Sequence, residues 1–88
     1  MADLAQTLEV AANGGDVPAP TSHVRIPYLR HWRLHRLWSQ SQLIKASGVS
    51  APTIIRGEQG KPVSALNAAK LAHALGVTVE QLESEKPS

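Results

Sequence analysis

Residues 39–60, SQSQLIKASGVSAPTIIRGEQG, constrain the fold most, because two helix-start signals flank one helix-stop signal. Ser39 and Gln42 have the spacing of a capping box, in which each side chain accepts a hydrogen bond from the other residue's backbone N–H. Gly48 readily adopts the left-handed conformation that ends a helix. Ser50 is placed to cap a second helix directly after this glycine. The segment therefore predicts two short helices joined by a tight turn.

Two short helices packed across a tight turn are typical of a helix-turn-helix, whose second helix can enter the major groove of DNA. Pro52 falls in the first turn of that second helix, where its missing N–H is not required. Helical signals place helix 1 at about 27–37, helix 2 at about 40–47, helix 3 at about 51–59, helix 4 at about 65–75, and a short fifth helix after the capping box of Thr78 and Gln81. No β-alternation of useful length is present. The sequence predicts an all-α fold, a compact bundle of five short helices with helices 2 and 3 as the helix-turn-helix.

Composition divides the chain into three parts. We expect a flexible acidic arm and linker at residues 1–22, the helix-turn-helix domain at residues 23–84, and a C-terminal tail at residues 85–88. Pro18 and Pro20 favour a linker, and the apolar spacing within residues 3–12 fits a short helix. An isolated helix of this length is unstable in water, so disorder is the preferred interpretation of the arm.

Formal charge is distributed unevenly along the chain. The net charge of +2 combines −3 over residues 1–22, +7 over residues 25–75 and −2 over residues 76–88. A basic centre of this kind favours a polyanionic partner such as double-stranded DNA. It equally fits a basic surface that is merely solvated, and charge alone does not separate the two interpretations.

The residues that catalysis or metal binding requires are sparse. The chain has no cysteine, which excludes disulfides and thiolate metal sites and fits the reducing cytoplasm. His31 and His35 have an i, i+4 spacing that can bind a metal, but neither His23 nor His73 is an evident third ligand. No catalytic motif and no run of eighteen apolar residues is present, so we expect no enzyme, no metal, no cofactor and no membrane span.

A series of motifs spans most of the chain, in the order Arg33, Ser39-Gln40, Leu43, Gly48-Val49-Ser50, Thr53-Ile54, Glu58, Gly60, and the run from Leu71 to Val77 that leads to Leu82. In this order and spacing, the chain from Ile26 to Leu82 resembles the lambda-repressor-like helix-turn-helix domains, also called the XRE family. The resemblance implies five helices, DNA binding by helices 2 and 3, and a homodimer on a two-fold symmetric operator. It also implies a cytoplasmic protein associated with the nucleoid through DNA binding.

The resemblance implies roles for individual residues as well. Arg33 and Glu58 match a pair that joins helix 1 to the end of helix 3, and Gln40 matches a contact to a DNA phosphate. The positions that face bases match Ser50, Ala51, Pro52, Ile55 and Arg56, and Thr53 and Lys61 complete the expected DNA-binding set. Arg56 suits a contact to guanine or to a phosphate, whereas the apolar side chains suit thymine methyl groups.

Three positions depart from the family pattern. Ile44 stands where a small residue is usual, and Gly57 stands where a buried aliphatic residue is usual. We therefore expect Ile44 to fill the space left at Gly57. Leu37 replaces a common glycine, so we expect either that the turn after helix 1 differs or that helix 1 extends.

Large apolar side chains give two further expectations. If helix 3 lies as the motif predicts, Ile54 points into the core and Ile55 points out of it. Trp32 and Trp38 are the largest apolar groups of the chain and are expected to be core anchors.

These features predict a sequence-specific double-stranded DNA-binding transcriptional regulator, a repressor, that reads the major groove with helix 3. The dimer surface is expected near Val77, Val79 and Leu82, or in the N-terminal arm. One alternative is an antitoxin or adaptor whose residues 1–22 bind a partner protein. Another is that the chain is the DNA-binding part of a longer regulator.

Overall fold

The structure is a computed structural model and describes residues 22–87. Its elements, in chain order, are β1 (His23–Val24), α1 (Leu29–His35), α2 (Gln40–Ser47), α3 (Ala51–Glu58), β2 (Val63–Ser64), α4 (Ala65–Leu75) and α5 (Val79–Ser84). Five short helices and one very small sheet confirm the predicted all-α bundle. Except for Ser22, the predicted N-terminal arm lies outside the described residues.

Local capping signals account for the helix boundaries. The Ser39 hydroxyl accepts the N–H of Gln42 at 3.1 Å, and the Gln42 amide oxygen accepts the N–H of Ser39 at 2.7 Å. The same reciprocal pair forms between Thr78 and Gln81 at the start of α5. Gly48 ends α2 with a φ of 74°, a backbone conformation that costs glycine little. Both predicted capping boxes and the glycine stop are therefore confirmed.

The cap expected from Ser50 is only half right. Ser50 is the N-cap residue of α3, but its side chain accepts no backbone N–H and instead donates to the Thr53 hydroxyl at 3.0 Å. An N-cap side chain normally accepts from the second or third residue of the helix. Pro52 is the second residue of α3 and has no N–H to give. One of the two usual donors is therefore missing, and the serine bonds to the hydroxyl of the third residue, Thr53, instead of its N–H.

A single apolar core lies between the helices and is centred on α4, which packs against α2, α5 and both strands. The fully buried large side chains are Ile26, Leu29, Leu43, Ile54, Leu71 and Leu82. Each helix from α1 to α5 contributes at least one of them, so burial of apolar area ties all five helices together. None of the described helices is both long enough and apolar enough to cross a membrane.

The small sheet was not predicted. β1 and β2 pair antiparallel, with His23 opposite Ser64 and Val24 opposite Val63. The Ser22 carbonyl also accepts the N–H of Ala65 at 2.9 Å, which holds the start of the described chain at the N-terminus of α4. Strands of two residues are too short to produce a periodic pattern, so the sequence does not predict them.

Helix α1 does not extend through Leu37, so one of the two sequence-based alternatives is wrong. Helix α1 is shorter than the predicted 27–37, and it ends at His35 rather than extending. Leu37 adopts a φ of 59° and donates its N–H to the Leu34 carbonyl at 2.8 Å. The leucine thus takes the left-handed conformation that suits a glycine, and its side chain is 88% exposed.

The expected exchange of size between Ile44 and Gly57 is wrong. A Cβ on Gly57 would lie 3.1 Å from Cδ2 of Leu29 and 3.3 Å from Cδ1 of Ile26. These two side chains therefore occupy the space next to the glycine. Ile44 is half-buried and packs on the edge of the core instead.

The two tryptophans join helices rather than fill the centre of the core, so the prediction that they are core anchors needs correction. Both are half-buried. The Trp32 indole donates to the carbonyls of Glu85 at 2.9 Å and Gln81 at 3.3 Å, which links α1 to the end of α5. The Arg36 guanidinium lies 4.6 Å from the Trp38 ring centroid and donates to the Leu75 carbonyl at 3.2 Å. An indole N–H needs a partner when it is covered, which favours such boundary positions.

Candidate nucleic-acid interface

The buried side of α3 determines which of its residues face solvent. Ile54 is fully buried and Gly57, three residues later, is buried against α1. Ile55 is 41% exposed, so the expectation that Ile54 points inward and Ile55 outward is confirmed. The solvent-facing residues at the start and along the outer side of α3 are Ser50, Ala51, Pro52, Ile55 and Arg56, and Thr53 is half-buried.

Most of this outer face is apolar. Ala51 lies four residues before Ile55 and Pro52 lies three residues before it, so the three side chains are neighbours on the helix surface. All three are exposed. We call these three residues the α3 apolar patch.

The polar side chains beside the α3 apolar patch have partners within the protein. The Ser50 hydroxyl donates to the Thr53 hydroxyl at 3.0 Å. An Nη atom of Arg56 donates to the Pro62 carbonyl at 3.1 Å, so the arginine bends over the segment that follows α3. A guanidinium has five N–H donors, and this contact leaves others free for a ligand.

A buried ion pair sets the position of α3 relative to α1. Arg33 is 8% exposed, and its Nε and Nη2 atoms lie 2.6 Å and 3.1 Å from the two carboxylate oxygens of Glu58. Nη1 of the same arginine donates to the Trp38 carbonyl at 2.9 Å. The bidentate geometry fixes the guanidinium in one plane, so the pair orients three segments at once.

Gln40 extends this network to the first residue of α2. Its Nε2 atom donates to Glu58 Oε1 at 3.1 Å, while the side chain remains exposed. The carboxylate therefore receives hydrogen bonds from Arg33 and from Gln40. The amide is held at the N-terminal end of α2, where backbone N–H groups favour anions.

Three cationic side chains surround the segment that follows α3. Lys61 is exposed within it, Arg56 donates to the Pro62 carbonyl, and Arg25 Nη1 lies 3.4 Å from the Gly60 carbonyl. Arg25 was absent from the residues expected to bind DNA. Its only signal in the sequence is its charge, since the contact spans 35 positions of the chain.

His31 and His35 contact aromatic side chains, and the residues expected at the dimer surface pack within their own chain. His31 and His35 stack edge-on against Tyr28 and Trp32, and the described residues contain no group of three or more potential metal ligands. Leu82 is fully buried within its own chain, so it is not available to a second copy, contrary to expectation. Val77 and Val79 are half-buried and pack on the core edge.

Comparison with known proteins agrees with this geometry. A helix-turn-helix family model matches residues 29–82, from the first residue of α1 into α5. No curated protein and no solved structure matches the chain. The family is one of DNA-binding regulatory domains and not of enzymes. On the strength of a match that covers more than half of its residues, the chain belongs to the lambda-repressor-like, or XRE, family of DNA-binding helix-turn-helix regulators.

Proposed function

We propose that the chain is a transcriptional repressor that binds an operator as a homodimer and reads the major groove with α3. The observation that carries the proposal is the outward face of α3, which stays free of core packing while Ile54 and Gly57 anchor the opposite face. A helix enters the major groove only if such a face is free of core packing, as in other helix-turn-helix proteins. The exposed cations next to α3 supply the attraction for the phosphate backbone.

Arg56 is proposed as the hydrogen-bonding base reader. A guanidinium can donate to both major-groove acceptors of guanine, and the contact to Pro62 restrains the direction in which it extends. Ser50 and Thr53 lie at the start of the same face and complete the expected set with Ala51, Pro52 and Ile55. The remaining donors of Arg56 can instead meet a phosphate, which the experiment below distinguishes.

Gln40 and Lys61, which lie near the C-terminal end of α3, are proposed as phosphate contacts. The amide of Gln40 uses one Nε2 hydrogen on Glu58 and keeps the second for an anion. Lys61 follows Gly60, and we add Arg25 to this group because its guanidinium donates to the Gly60 carbonyl. Contacts of this kind hold the protein in register without reading sequence.

Dimerisation gives a module of this size a sufficient interface with DNA. A single small domain covers one half-site, and two copies on a palindromic operator combine their contacts. Val77 and Val79 remain candidate dimer residues, together with the N-terminal arm, whereas Leu82 is excluded by its burial. A dimer that occupies an operator blocks access to it, so repression at the nucleoid in the cytoplasm is the proposed role.

The test selects binding sites for the full chain from random double-stranded DNA and measures affinity by fluorescence anisotropy at several salt concentrations. Arg56→Ala should weaken binding and relax preference at one base position, at a cost of about 1–3 kcal/mol. Lys61→Ala should weaken binding to all sequences alike and lower the salt slope by about one.

Lys86→Ala is the matched control, because it removes one exposed positive charge beyond α5. It should change neither preference nor slope appreciably. If Arg56→Ala lowers the affinity for all sequences equally, Arg56 contacts a phosphate and does not read a base. Failure of the unaltered chain to enrich any sequence would refute the proposed function itself. Light scattering of the complex tests whether two copies bind.

A further inference from the structure

The composition of the α3 face limits which chemical groups of a base pair it can recognise. Between Ala51 and Arg56 the helix carries no amide and no carboxylate side chain. Adenine is read chiefly by Asn or Gln, and the cytosine amino group by Asp or Glu. Apart from Arg56, which is proposed to read guanine, and the hydroxyls of Ser50 and Thr53, the side chains of this face are apolar and can meet only an apolar group of the major groove.

The polar side chains next to the α3 apolar patch already use part of their hydrogen-bonding capacity within the protein. The hydroxyls of Ser50 and Thr53 bond to each other, and Arg56 donates to Pro62. Hydrogen bonds that are already made inside the protein must be broken or shared before a base can use them. The exposed surface of Ile55, in contrast, is free to be covered without such a loss.

From these two observations we infer that the α3 apolar patch reads the C5-methyl group of pyrimidines in the major groove. Ile55 is the principal contact, and Ala51 and Pro52 contact the methyl group from beside it. The C5-methyl group is the apolar feature of the major groove and is carried by thymine. 5-Methylcytosine carries the same group at the same ring position, so both bases supply the chemistry. This inference rests on the proposed placement of α3 in the major groove.

Burial of one methyl group has a measurable effect on affinity. The transfer of one methyl-sized group out of water corresponds to about a four-fold change in a binding constant. The patch should therefore distinguish thymine from deoxyuridine, which lacks only the C5-methyl and keeps every hydrogen-bonding group.

The experiment uses the full chain and its selected operator in three synthetic forms. In the first, each thymine in turn is replaced by deoxyuridine. In the second, a sensitive T·A pair is replaced by C·G. In the third, the same pair is replaced by 5-methyl-C·G. We expect a loss of about four-fold at each contacted methyl in the first form. The C·G form should bind more weakly than the 5-methyl-C·G form, which identifies the methyl group rather than the thymine base as the ligand.

Two variants assign the effect to the patch. Ile55→Ala should bring the affinity ratio of thymine to deoxyuridine close to one, whereas Leu34→Ala, an exposed apolar change on α1, should leave it unchanged. A ratio that persists in Ile55→Ala would show that altered DNA shape or another residue is responsible, and would overturn the inference. Equal binding of all three forms by the unaltered chain would overturn it as well. Failure of the unaltered chain to bind any sequence selectively would instead refute the proposed function.

Discussion

Gly57 of α3 lies directly against Leu29 of α1, since a Cβ at Gly57 would stand 3.1 Å from Cδ2 of Leu29. The fully buried Ile26 stands almost as close to the same point, at 3.3 Å. The absence of a side chain at Gly57 is thus what allows α3 to pack closely on the start of α1. The glycine is a packing requirement and not a defect of the recognition helix.

Gly57→Ala should destabilise the protein although alanine is the better helix former. The helix propensity gain is at most about 1 kcal/mol, while overpacking of a closed core typically costs about 1–3 kcal/mol. We expect a net loss of about 1 kcal/mol in the free energy of unfolding, measured by urea denaturation. Ile26→Val removes one of the two nearest methyl groups, so the double variant should lose less than the sum of the single changes. A rise in stability for Gly57→Ala would contradict this account of the contact.

Leu37→Gly should stabilise the protein. The left-handed conformation costs a residue with a side chain about 1–2 kcal/mol, and glycine avoids this cost but loses more chain entropy on folding. The side chain is 88% exposed, so almost no buried area is lost with it. We expect a gain of about 0.5–1 kcal/mol in unfolding free energy by chemical denaturation.

Two control variants separate backbone strain from loss of the leucine side chain. Leu37→Ala keeps a Cβ in the same conformation and should give no comparable gain. Leu34→Gly lies within α1 and should destabilise by about 1 kcal/mol or more, because glycine is a poorer helix former and the partly covered leucine side chain is lost. A gain from Leu37→Ala as large as that from Leu37→Gly would show that strain is not the cause.

Arg33→Met should cost about 3 kcal/mol, because it leaves the buried carboxylate of Glu58 without its cationic partner. Arg33→Met combined with Glu58→Leu should recover most of this loss, since replacing both members removes the unpaired charge. Arg30→Met is the matched control on the same helix, where the side chain is exposed, and should change stability by less than about 0.5 kcal/mol. Thermal or urea denaturation of these three variants and of the unaltered chain gives the comparison.

Deletion of residues 1–21 should leave the fold and the sequence preference intact. It removes three acidic residues but keeps Ser22, whose carbonyl accepts the N–H of Ala65. Loss of negative charge should strengthen DNA binding at low salt and matter less at high salt, as anisotropy titrations measure. Retained DNA binding with loss of a bound partner protein would support the alternative role of this segment. Complete loss of DNA binding would place the segment in the DNA-binding site instead.

The parts of the fold that the sequence predicts are those with local causes. The capping boxes of α2 and α5 involve residues three positions apart, and Gly48 acts through its own backbone. Gly76 ends α4 in the same left-handed conformation in which Gly48 ends α2. The same locality explains why the inward and outward sides of α3 were predicted from helical periodicity.

The features that the sequence does not predict depend on contacts between residues that are distant in the chain. The neighbours of Gly57 are Leu29 and Ile26, and no local pattern says that these side chains rather than Ile44 fill the space. The contact of Arg25 with the Gly60 carbonyl also joins residues that are far apart in the chain. For the candidate site, periodicity identifies the exposed face, but only the three-dimensional arrangement shows that Arg56 already donates to Pro62.

Trp32→Phe should loosen α5 while leaving most of the core intact. The indole N–H donates to the carbonyls of Gln81, within α5, and of Glu85, directly after it, and phenylalanine has no such donor. Loss of the hydrogen bond and of part of the ring should cost about 1–2 kcal/mol. Hydrogen exchange should therefore quicken in α5 more than in α2 or α3. Trp38→Phe is the matched control, because that indole stacks with Arg36 and leaves the α5 carbonyls untouched. If exchange quickens equally in every helix, or if the Trp38 variant affects α5 as strongly, then Trp32 does not hold α5 through its N–H.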